Sequence, residues 1–571
     1  MYFRKLSAPR LQRVTVSAFP GLDRREGAAA GSFSHMENLC PQGYPAMKVR
    51  RRRGRVAVLD APGGLTAKET LVWVDGHTLY VGGHATGLVL QEGEKQFVSM
   101  GAYLVIWPDK AWINLRDLSS FGRLEHAVTT AGEVSFSLCR SDGSSWGAYT
   151  VSAEAPLEPE EGALWLDISR ETAVLCRRGD GAWTEVADVC VRIQCGGIGA
   201  GFQAGDGVEI SGCGVAALNG NHVLRWVDED TLVVGGTVPG DRVQAEAVTV
   251  RRAVPEMDFV TECGNRLWGC KYGVVNGRAV NEVYASKLGD FRNWNCWEGL
   301  STDSYAASRG SDGPFTAAAA YLGSVLFFKE NCIERLYPSA SGAHQMVTLE
   351  CPGVGRGSSR SLQTVEGVLY YLGRGGVYAF DGSLPVKVSA ALGSAELCNG
   401  CAGALEGRYY LSAAEGEKRH LLTYDVQRGA WHRQDGLAVR DFARHDGELF
   451  ALTAAGELLA LEGGSGEQEG PVSWQAVTPP LGLQGAEHKY PLRLSLQLRL
   501  ARGSTVRAAV SYDDGGTWHE QGGLTGRGGT EAVTLHLRPR RCAQLRLRLE
   551  GTGDCTLYAA SAVYEKGSDE T

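Results

Sequence analysis

The chain has 571 residues, of which 43% are hydrophobic and 21% charged, and its formal net charge at pH 7 is −8. This length exceeds what one hydrophobic core organises, so at roughly 150 residues per domain we expect about three domains. The weak negative charge argues against a protein that grips nucleic acid by neutralising phosphates, although it allows a passage through which DNA slides. The composition also excludes collagen-like and disordered chains.

Residues 1–60 form an N-terminal segment without the apolar core and cleavage site of a signal peptide. No stretch of the chain approaches the roughly 20 apolar residues of a membrane span. A basic run in this segment is the densest positive patch of the sequence. A run of this kind is typical of a solvated face, and contact with DNA or with an acidic partner subunit is the alternative. The run consists of Lys48, Arg50, Arg51, Arg52, Arg53 and Arg55.

A short pattern then recurs seven times: an apolar strand, a tight turn on glycine, and a second strand rich in Tyr, Phe and Trp. Glycine tolerates the positive φ that a two-residue hairpin turn needs, and β-branched and aromatic residues favour strands. Each copy therefore predicts a β-hairpin. The turn glycines are Gly76, Gly101, Gly264, Gly323, Gly367, Gly407 and Gly447.

The spacing of these glycines indicates what the hairpins build. From Gly323 onward it is 44, 40 and 40 residues, about the length of one four-stranded propeller blade. Gly101 and Gly264 are 163 residues apart. Residues 131–252, a foreign segment of 122 residues, interrupt the pattern, and without them the spacing is 41 residues. The other two steps, of 25 and 59 residues, fit the period less well. The sequence therefore predicts a β-propeller of six or seven blades.

The foreign segment over residues 131–252 alternates apolar and polar positions between turns such as Asp206–Gly207. This pattern predicts a small β-domain inserted between strands of the propeller. The propeller itself is then divided between residues 61–130 and 253–462.

Residues 463–471 are a linker by composition, and residues 472–571 follow with strands of period two, such as LRLSLQLRL from Leu492 to Leu500. Strands with one buried and one exposed face predict a C-terminal β-sandwich. The fold class expected for the whole chain is all-β.

Fifteen cysteines lie scattered in apolar strands, which is typical of buried, reduced thiols in a protein made in cytoplasm. The one close pair is Cys398 and Cys401. It could be a redox motif or half of a zinc site, but no second pair and no Cys/His pair at ligand spacing accompanies it. We therefore expect no metal and no cofactor.

One segment of the C-terminal region matches the Asp-box of sialidases. The box is a structural hairpin turn in which the aspartate accepts hydrogen bonds from backbone amides, and sialidases repeat it on several blades, whereas it occurs once here. Its residues are Ser511, Asp513, Gly515, Thr517 and Trp518.

The glycine-rich run GVGRGSS, 353–359, lacks the Lys-Ser/Thr ending of a phosphate loop and predicts a loop between blades. No nucleophile elbow is present, and no catalytic set of residues stands out. The sequence therefore predicts that the chain is not an enzyme.

Several stretches resemble the tail hub or nozzle proteins of short-tailed bacteriophages, also called phage stabilisation proteins. They cover most of residues 15–567 outside the insert. The stretches are FPGLDRREG…MENLCPQGYPAMKVRRRR, VYASKLGDFRNW, VLFFKENCIERLY, GRGSSRSLQTVEGVLYYLGRGGVYAFDG and YDDGGTW…RCAQLRLRLEGTGDCTLYAASAVYEKGS.

The resemblance implies a β-propeller with a C-terminal β-domain that assembles in the host cytoplasm into a virion tail. Its place would be a hexameric ring below the portal and adaptor that closes the DNA channel. The implied partners are further copies of the chain, portal-adaptor or other tail proteins, tail fibres, and DNA that passes without sequence-specific contact. The insert departs from the family and is a candidate platform for fibres or a neighbouring ring. Long-tailed phages carry similar propellers, so the tail type stays open.

Two alternatives remain. A carbohydrate- or receptor-binding tail adhesin is suggested by the aromatic residues Trp294 and Trp297, which could stack on sugars. A glycoside hydrolase of sialidase type would instead place catalytic carboxylates in the mouth of the propeller.

Overall fold

The computed structural model describes residues 11–482 and 487–566. Strands make up 54% of the structure and helical turns 2%, so the all-β prediction is confirmed. The described helical segments are three short 3-10 turns, and none of them is long or apolar enough to cross a membrane. The turns are Ala216–Leu218, Ser359–Ser361 and Ala390–Leu392.

Seven antiparallel sheets, numbered 1 to 7 here, have the small, four-stranded form of propeller blades. Sheets 1 to 6 each contain four strands that follow one another along the chain. Sheet 1 contains Pro62–Ala67, Leu71–Asp75, Thr78–Val81 and His84–Val89; sheet 2 contains Gln96–Met100, Tyr103–Trp107, Ala111–Asn114 and Asp117–Arg123. Sheet 3 contains Phe259–Glu262, Leu267–Val275, Arg278–Ala285 and Tyr305–Ser308; sheet 4 contains Ala317–Tyr321, Ser324–Phe328, Cys332–Tyr337 and Gln345–Glu350. Sheet 5 contains Gln363–Val365, Val368–Gly373, Gly376–Phe380 and Val386–Lys387; sheet 6 contains Leu397–Leu405, Arg408–Glu415, Lys418–Asp425 and Ala430–Arg433.

Sheet 7 is completed by the N-terminal segment. Its three consecutive strands are Val439–His445, Glu448–Thr453 and Glu457–Ala460, and its fourth is Gly54–Val58. The predicted linker, 463–471, contributes Glu467–Gln468, which pairs with Gly54–Val58. The number of blades in a closed ring stays a prediction of six or seven.

Burial is greatest in the middle strands of sheets 4 and 5 and lowest in their fourth strands. The second strands Ser324–Phe328 and Val368–Gly373 are buried at nearly every position, because both of their faces are covered, and such strands read as continuous apolar runs. The fourth strands His84–Val89 and Val386–Lys387 are largely exposed.

The chain divides into two compact units. The first comprises the chain up to Glu94, Phe328–Ile333 and the chain from Glu350 onward, and the second comprises Lys95–Phe327 and Glu334–Leu349. The first unit contains sheets 1, 5, 6 and 7 and the C-terminal sandwich. The second contains sheets 2 and 3, most of sheet 4, and the inserted β-domain.

The inserted β-domain has one eight-stranded and one four-stranded sheet around a core of its own. The first sheet has the order His126–Thr129, Thr249–Arg252, Gly207–Ser211, Gly220–Asp228, Thr231–Gly235, Cys190–Gln194, Val134–Cys139 and Arg242–Gln244. The second has the order Tyr149–Ser152, Leu164–Asp167, Val174–Gly179 and Ala182–Glu185.

The C-terminal sandwich is built from both ends of the chain, which the sequence did not predict. Its two sheets share one hydrophobic core with sheets 5 and 6. One sheet contains Leu39–Cys40, Met47–Val49, Cys555–Lys566, Lys489–Leu500 and Thr530–His536, and Leu11–Val16 pairs with Cys555–Lys566. The other contains His35–Glu37, Ser473–Val477, Arg546–Thr552, Thr505–Ser511 and His519–Thr525.

Candidate functional site

A cavity of about 870 Å³ with several charged lining residues lies in the first unit, and we call it the blade cavity. Its walls come from turns at equivalent places in successive sheets: the turns between the second and third strands of sheets 4, 5 and 6, and the start of sheet 6. Equivalent turns of neighbouring blades lie at the same end of their sheets, which brings these loops together. The lining residues are Glu330, Gly355, Arg356, Ser358, Gly373, Arg374, Ser394, Glu396, Leu397, Cys398, Glu415 and Gly416.

Two of the three lining carboxylates have cationic partners. Glu330 accepts from the Nε of Arg356 at 3.1 Å. Glu415 lies 3.2 Å from the Nη1 of Arg24 and 3.0 Å from the Nε2 of His420. Burial, aided by nearby arginines, lowers the pKa of His420, so this imidazole is neutral near pH 7 and Arg24 supplies the charge. Both carboxylates are therefore held in place before any ligand binds.

The remaining two charges of the cavity are Arg374 and Glu396. Both side chains are exposed, and neither forms an ion pair within residues 11–482 and 487–566. Arg374 lies in the turn of sheet 5 and Glu396 just before the first strand of sheet 6. The cavity thus presents one guanidinium and one carboxylate to an incoming ligand.

The glycine-rich run 353–359 forms part of this wall. The Oγ of Ser358 accepts a hydrogen bond from the Gly400 N–H at 3.0 Å. Gly357 has a φ of +70°, and a Cβ there would collide with the Oδ1 of Asn399. The left-handed φ favours glycine at this position, and the loop lies against the first strand of sheet 6.

The predicted cysteine pair is split by a bulge. Cys398 is exposed on the cavity wall, whereas Cys401 is buried, because the strand register shifts between them. Burial raises the pKa of the Cys401 thiol far above its usual range. The two thiols therefore have different environments.

Cys398 should be the single fast-reacting thiol of the native chain. Thirteen of the other cysteines are buried and Cys195 is partly exposed, and thiol reactivity requires access of the reagent. A maleimide pulse on the folded protein, read by mass spectrometry, should add one label per chain, and Cys398→Ser should remove it. Rapid labelling spread over several cysteines would contradict the structure.

A second charged cluster in the first unit lies beside the first strands of sheets 1 and 7, and we call it the inner-strand cluster. It also includes Glu94, which follows sheet 1, and Arg360, in the 3-10 turn before sheet 5. Asp441 lies 3.2 Å from the Nε of Arg360. Glu94 lies 3.2 Å from Arg440 and 3.6 Å from Arg360, and Arg440 donates to the Pro62 carbonyl at 2.6 Å. Burial raises the pKa of Asp441 to about 7, although both arginines oppose that shift. This carboxyl therefore titrates near neutral pH.

A third cluster, in the second unit, consists of Cys296, Glu298 and Asp303, whose ligand atoms lie within 4.8 Å of one another. The Oδ2 of Asp303 accepts from the backbone N–H groups of Glu298 and Leu300, at 2.6 and 3.0 Å. Burial raises the pKa of Cys296 to about 11, so it is a protonated thiol that donates to Asp303. Hydrogen bonds within this cluster therefore stabilise a turn of the chain.

The two candidate sugar-stacking tryptophans lie in different environments. Trp294 is 3% exposed and packs edge-on against Trp107, so it belongs to the core of the second unit. Trp297 is 46% exposed and is accessible to a ligand.

The basic run is divided between the interior and the surface. Arg50 and Arg53 are buried and bind Glu469 and Asp435. The other members of the run are exposed or partly exposed, and contact with a partner or DNA stays a prediction for them. They are Lys48, Arg51, Arg52 and Arg55.

The Asp-box residues form a turn of the sandwich between Thr505–Ser511 and His519–Thr525. Asp513 accepts from the Thr517 N–H at 2.8 Å and from the Ser511 hydroxyl at 2.7 Å. The Thr517 amide is the main cause that lowers the pKa of Asp513 to about 2. Gly515 has a φ of +96°, and Arg548 lies over the ring of Trp518.

The seven turn glycines all have positive φ, between +56° and +82°. Six of them connect the first and second strands of sheets 2 to 7, whereas Gly76 connects the second and third strands of sheet 1. This shift explains why the step from Gly76 did not fit the period. The spacing of 59 residues from Gly264 to Gly323 is long because the segment 286–304 lies between the last two strands of sheet 3.

Comparison with known proteins gives no matching family and no matching curated protein. Among solved structures the chain is similar to an exo-β-1,3-galactanase from Phanerochaete chrysosporium, with 9% identity and a TM-score of 0.22 over 53% of this chain and 95% of that one. It is also similar to the phage phi92 endosialidase, with 10% identity and a TM-score of 0.24 over 74% and 68%. The computationally designed protein Ika8 matches with 12% identity and a TM-score of 0.31 over 72% and 99%.

These similarities correct one prediction. Glycoside hydrolases are among the solved structures that the chain resembles, so the prediction that it is not an enzyme is wrong. The prediction relied on the absence of a contiguous motif, and a catalytic set can be assembled from residues far apart in sequence. TM-scores between 0.20 and 0.31 assign no activity to this chain.

Proposed function

We propose that the chain is a structural component of a bacteriophage or prophage tail. In this proposal it forms a ring, as a hub or nozzle below the portal and adaptor, that closes the DNA channel and anchors fibres or neighbouring tail proteins. The ring would be a homo-oligomer, with six copies as the expected number.

The observation that carries the proposal is the way both ends of the chain are locked. Leu11–Val16 pairs antiparallel with Cys555–Lys566 over six residue pairs, and Gly54–Val58 completes sheet 7. Unfolding any of these strands therefore has to break its pairing with a strand from a distant part of the chain. This construction suits a part that holds its shape against packaged DNA.

The outer strands support self-association. Val386, on the fourth strand of sheet 5, is 65% exposed. Outer strands expose unpaired backbone groups, and apolar side chains on them favour pairing with another chain. Identical subunits joined by such heterologous contacts form a ring when the rotation closes.

The proposal predicts that the purified full-length chain forms a cyclic oligomer at moderate salt. Native mass spectrometry should give a discrete multiple of the 61.2 kDa chain, and negative-stain images should show rotational symmetry. Val386→Glu should weaken the oligomer more than Val386→Leu, which keeps the apolar contact. A strictly monomeric chain at micromolar concentration that also binds no tail protein would overturn the proposal.

A further inference from the structure

We propose that the blade cavity binds an acidic saccharide, a ligand that carries many hydroxyl groups and a carboxylate. This inference goes beyond the tail role and does not depend on it. It rests on the size of the cavity, on its charged lining residues, and on the two lining charges that form no ion pair within residues 11–482 and 487–566.

The size and lining of the cavity favour a polar ligand of oligosaccharide size. Its volume of about 870 Å³ lies within the range of roughly 300–1,000 Å³ that is usual for ligand sites. Leu397 is the one large apolar side chain of its lining, and no aromatic ring is among the lining residues. A nucleobase would find no aromatic ring to stack on there, whereas hydroxyl groups would find carboxylates and backbone groups.

The unpaired charges indicate what the ligand carries. The guanidinium of Arg374 is a planar fork of donors that matches a carboxylate. The carboxylate of Glu396 has acceptor atoms only, and it would accept hydrogen bonds from sugar hydroxyls. The two side chains lie on turns of adjacent sheets, so one ligand in the cavity would meet both.

Other charged ligands fit less well. A phosphate group would face the carboxylates of Glu330, Glu396 and Glu415 with only Arg374 unpaired, since Arg356 is held by Glu330. A cationic peptide would face Arg374, and Glu415 is already neutralised by Arg24. A single carboxylate on a hydroxylated chain pairs its one charge with Arg374 and offers hydroxyl donors to Glu396.

The cavity wall is preorganised. The contacts of Ser358 with Gly400 and of Gly357 with Asn399 hold the loop 353–359, which connects sheets 4 and 5, against the first strand of sheet 6. A ligand would therefore not have to order this loop, which would otherwise cost part of the binding energy.

The test is calorimetric titration of the full-length chain with three acidic probes: trigalacturonic acid, a hyaluronan tetrasaccharide and sialyllactose. At least one should bind saturably at millimolar concentration or below and should slow maleimide labelling of Cys398. Methyl-esterified trigalacturonate, in which the carboxylates are masked, is the matched control ligand. It should bind at least about tenfold more weakly than the acid, because charge-assisted hydrogen bonds are lost.

Two variants test the contributions of Arg374 and Glu396 to binding separately. Arg374→Gln should weaken binding of the acid about tenfold or more and leave binding of the ester unchanged, whereas Glu396→Gln should weaken both. Arg541→Gln, at an exposed arginine outside the cavity, is the control and should change neither. No binding of any acidic probe, binding that Arg374→Gln does not affect, or preferential binding of trilysine or ATP would each overturn the proposal.

Discussion

Replacing Arg53 with alanine should lower the free energy of unfolding of the first unit by about 3–5 kcal/mol. Arg53 is 5% exposed, and its guanidinium donates to the Oδ2 of Asp435 at 2.7 Å and to the Gln434 side chain at 3.0 Å. Burial would raise the pKa of Asp435, yet Arg53 holds that pKa below its usual value of 3.8. Removing the arginine leaves a partly buried carboxylate whose remaining cationic partner among the described residues is Arg50, at 3.8 Å.

The measurement is urea unfolding followed by circular dichroism, with calorimetry to assign the transition to the first unit. Arg52→Ala is the matched control because it lies in the same run and is partly exposed, and substitutions of that kind usually stay within about 0.5 kcal/mol. Equal effects of the two substitutions would show that the run is a solvated face throughout.

Replacing Asp441 with asparagine should stabilise the protein relative to the wild type progressively as pH rises from 4 to 8. The pKa of Asp441 is about 7 in the folded state against 3.8 ordinarily. Between these values the folded chain binds the proton that the unfolded chain releases, so wild-type stability falls with rising pH. The slope from this group is at most about 1.4 kcal/mol per pH unit, several kcal/mol over the window. Asparagine does not titrate and removes the slope.

The readout is the difference in unfolding free energy between variant and wild type at several pH values, which cancels any constant effect of the amide. Asp60→Asn, at an exposed carboxylate, should give a flat difference over the same range. A flat difference for Asp441→Asn, or one that favours the wild type at pH 8, would show that burial does not hold the proton on this carboxyl.

Much of the fold was predictable because its signals are local. A glycine that adopts positive φ between two apolar, aromatic-rich stretches defines a hairpin by itself, as at Gly367 and Gly407. Gly76 shows the limit of that signal, since the same local pattern marks a different turn of sheet 1.

The candidate site was largely unpredictable because its residues are brought together by strand pairing across long stretches of chain. The glycine-rich run 353–359 and Cys398 were noticed, but neither pattern indicates that Arg374, Glu396 and Glu415 share one cavity. The periodicity of the sequence does not indicate which turns of successive sheets lie next to each other.

The sequence by itself determined that this chain is all-β and built of repeated hairpins, since turn chemistry and side-chain alternation act between neighbouring residues. Only the tertiary structure decided that Gly54–Val58 completes sheet 7, that both ends of the chain form the sandwich, and that Arg53 pairs with Asp435, 382 residues away. The physical reason is that an arginine in a basic run has the same local sequence whether it faces solvent or a buried carboxylate. Its role depends on which distant strand the fold places beside it.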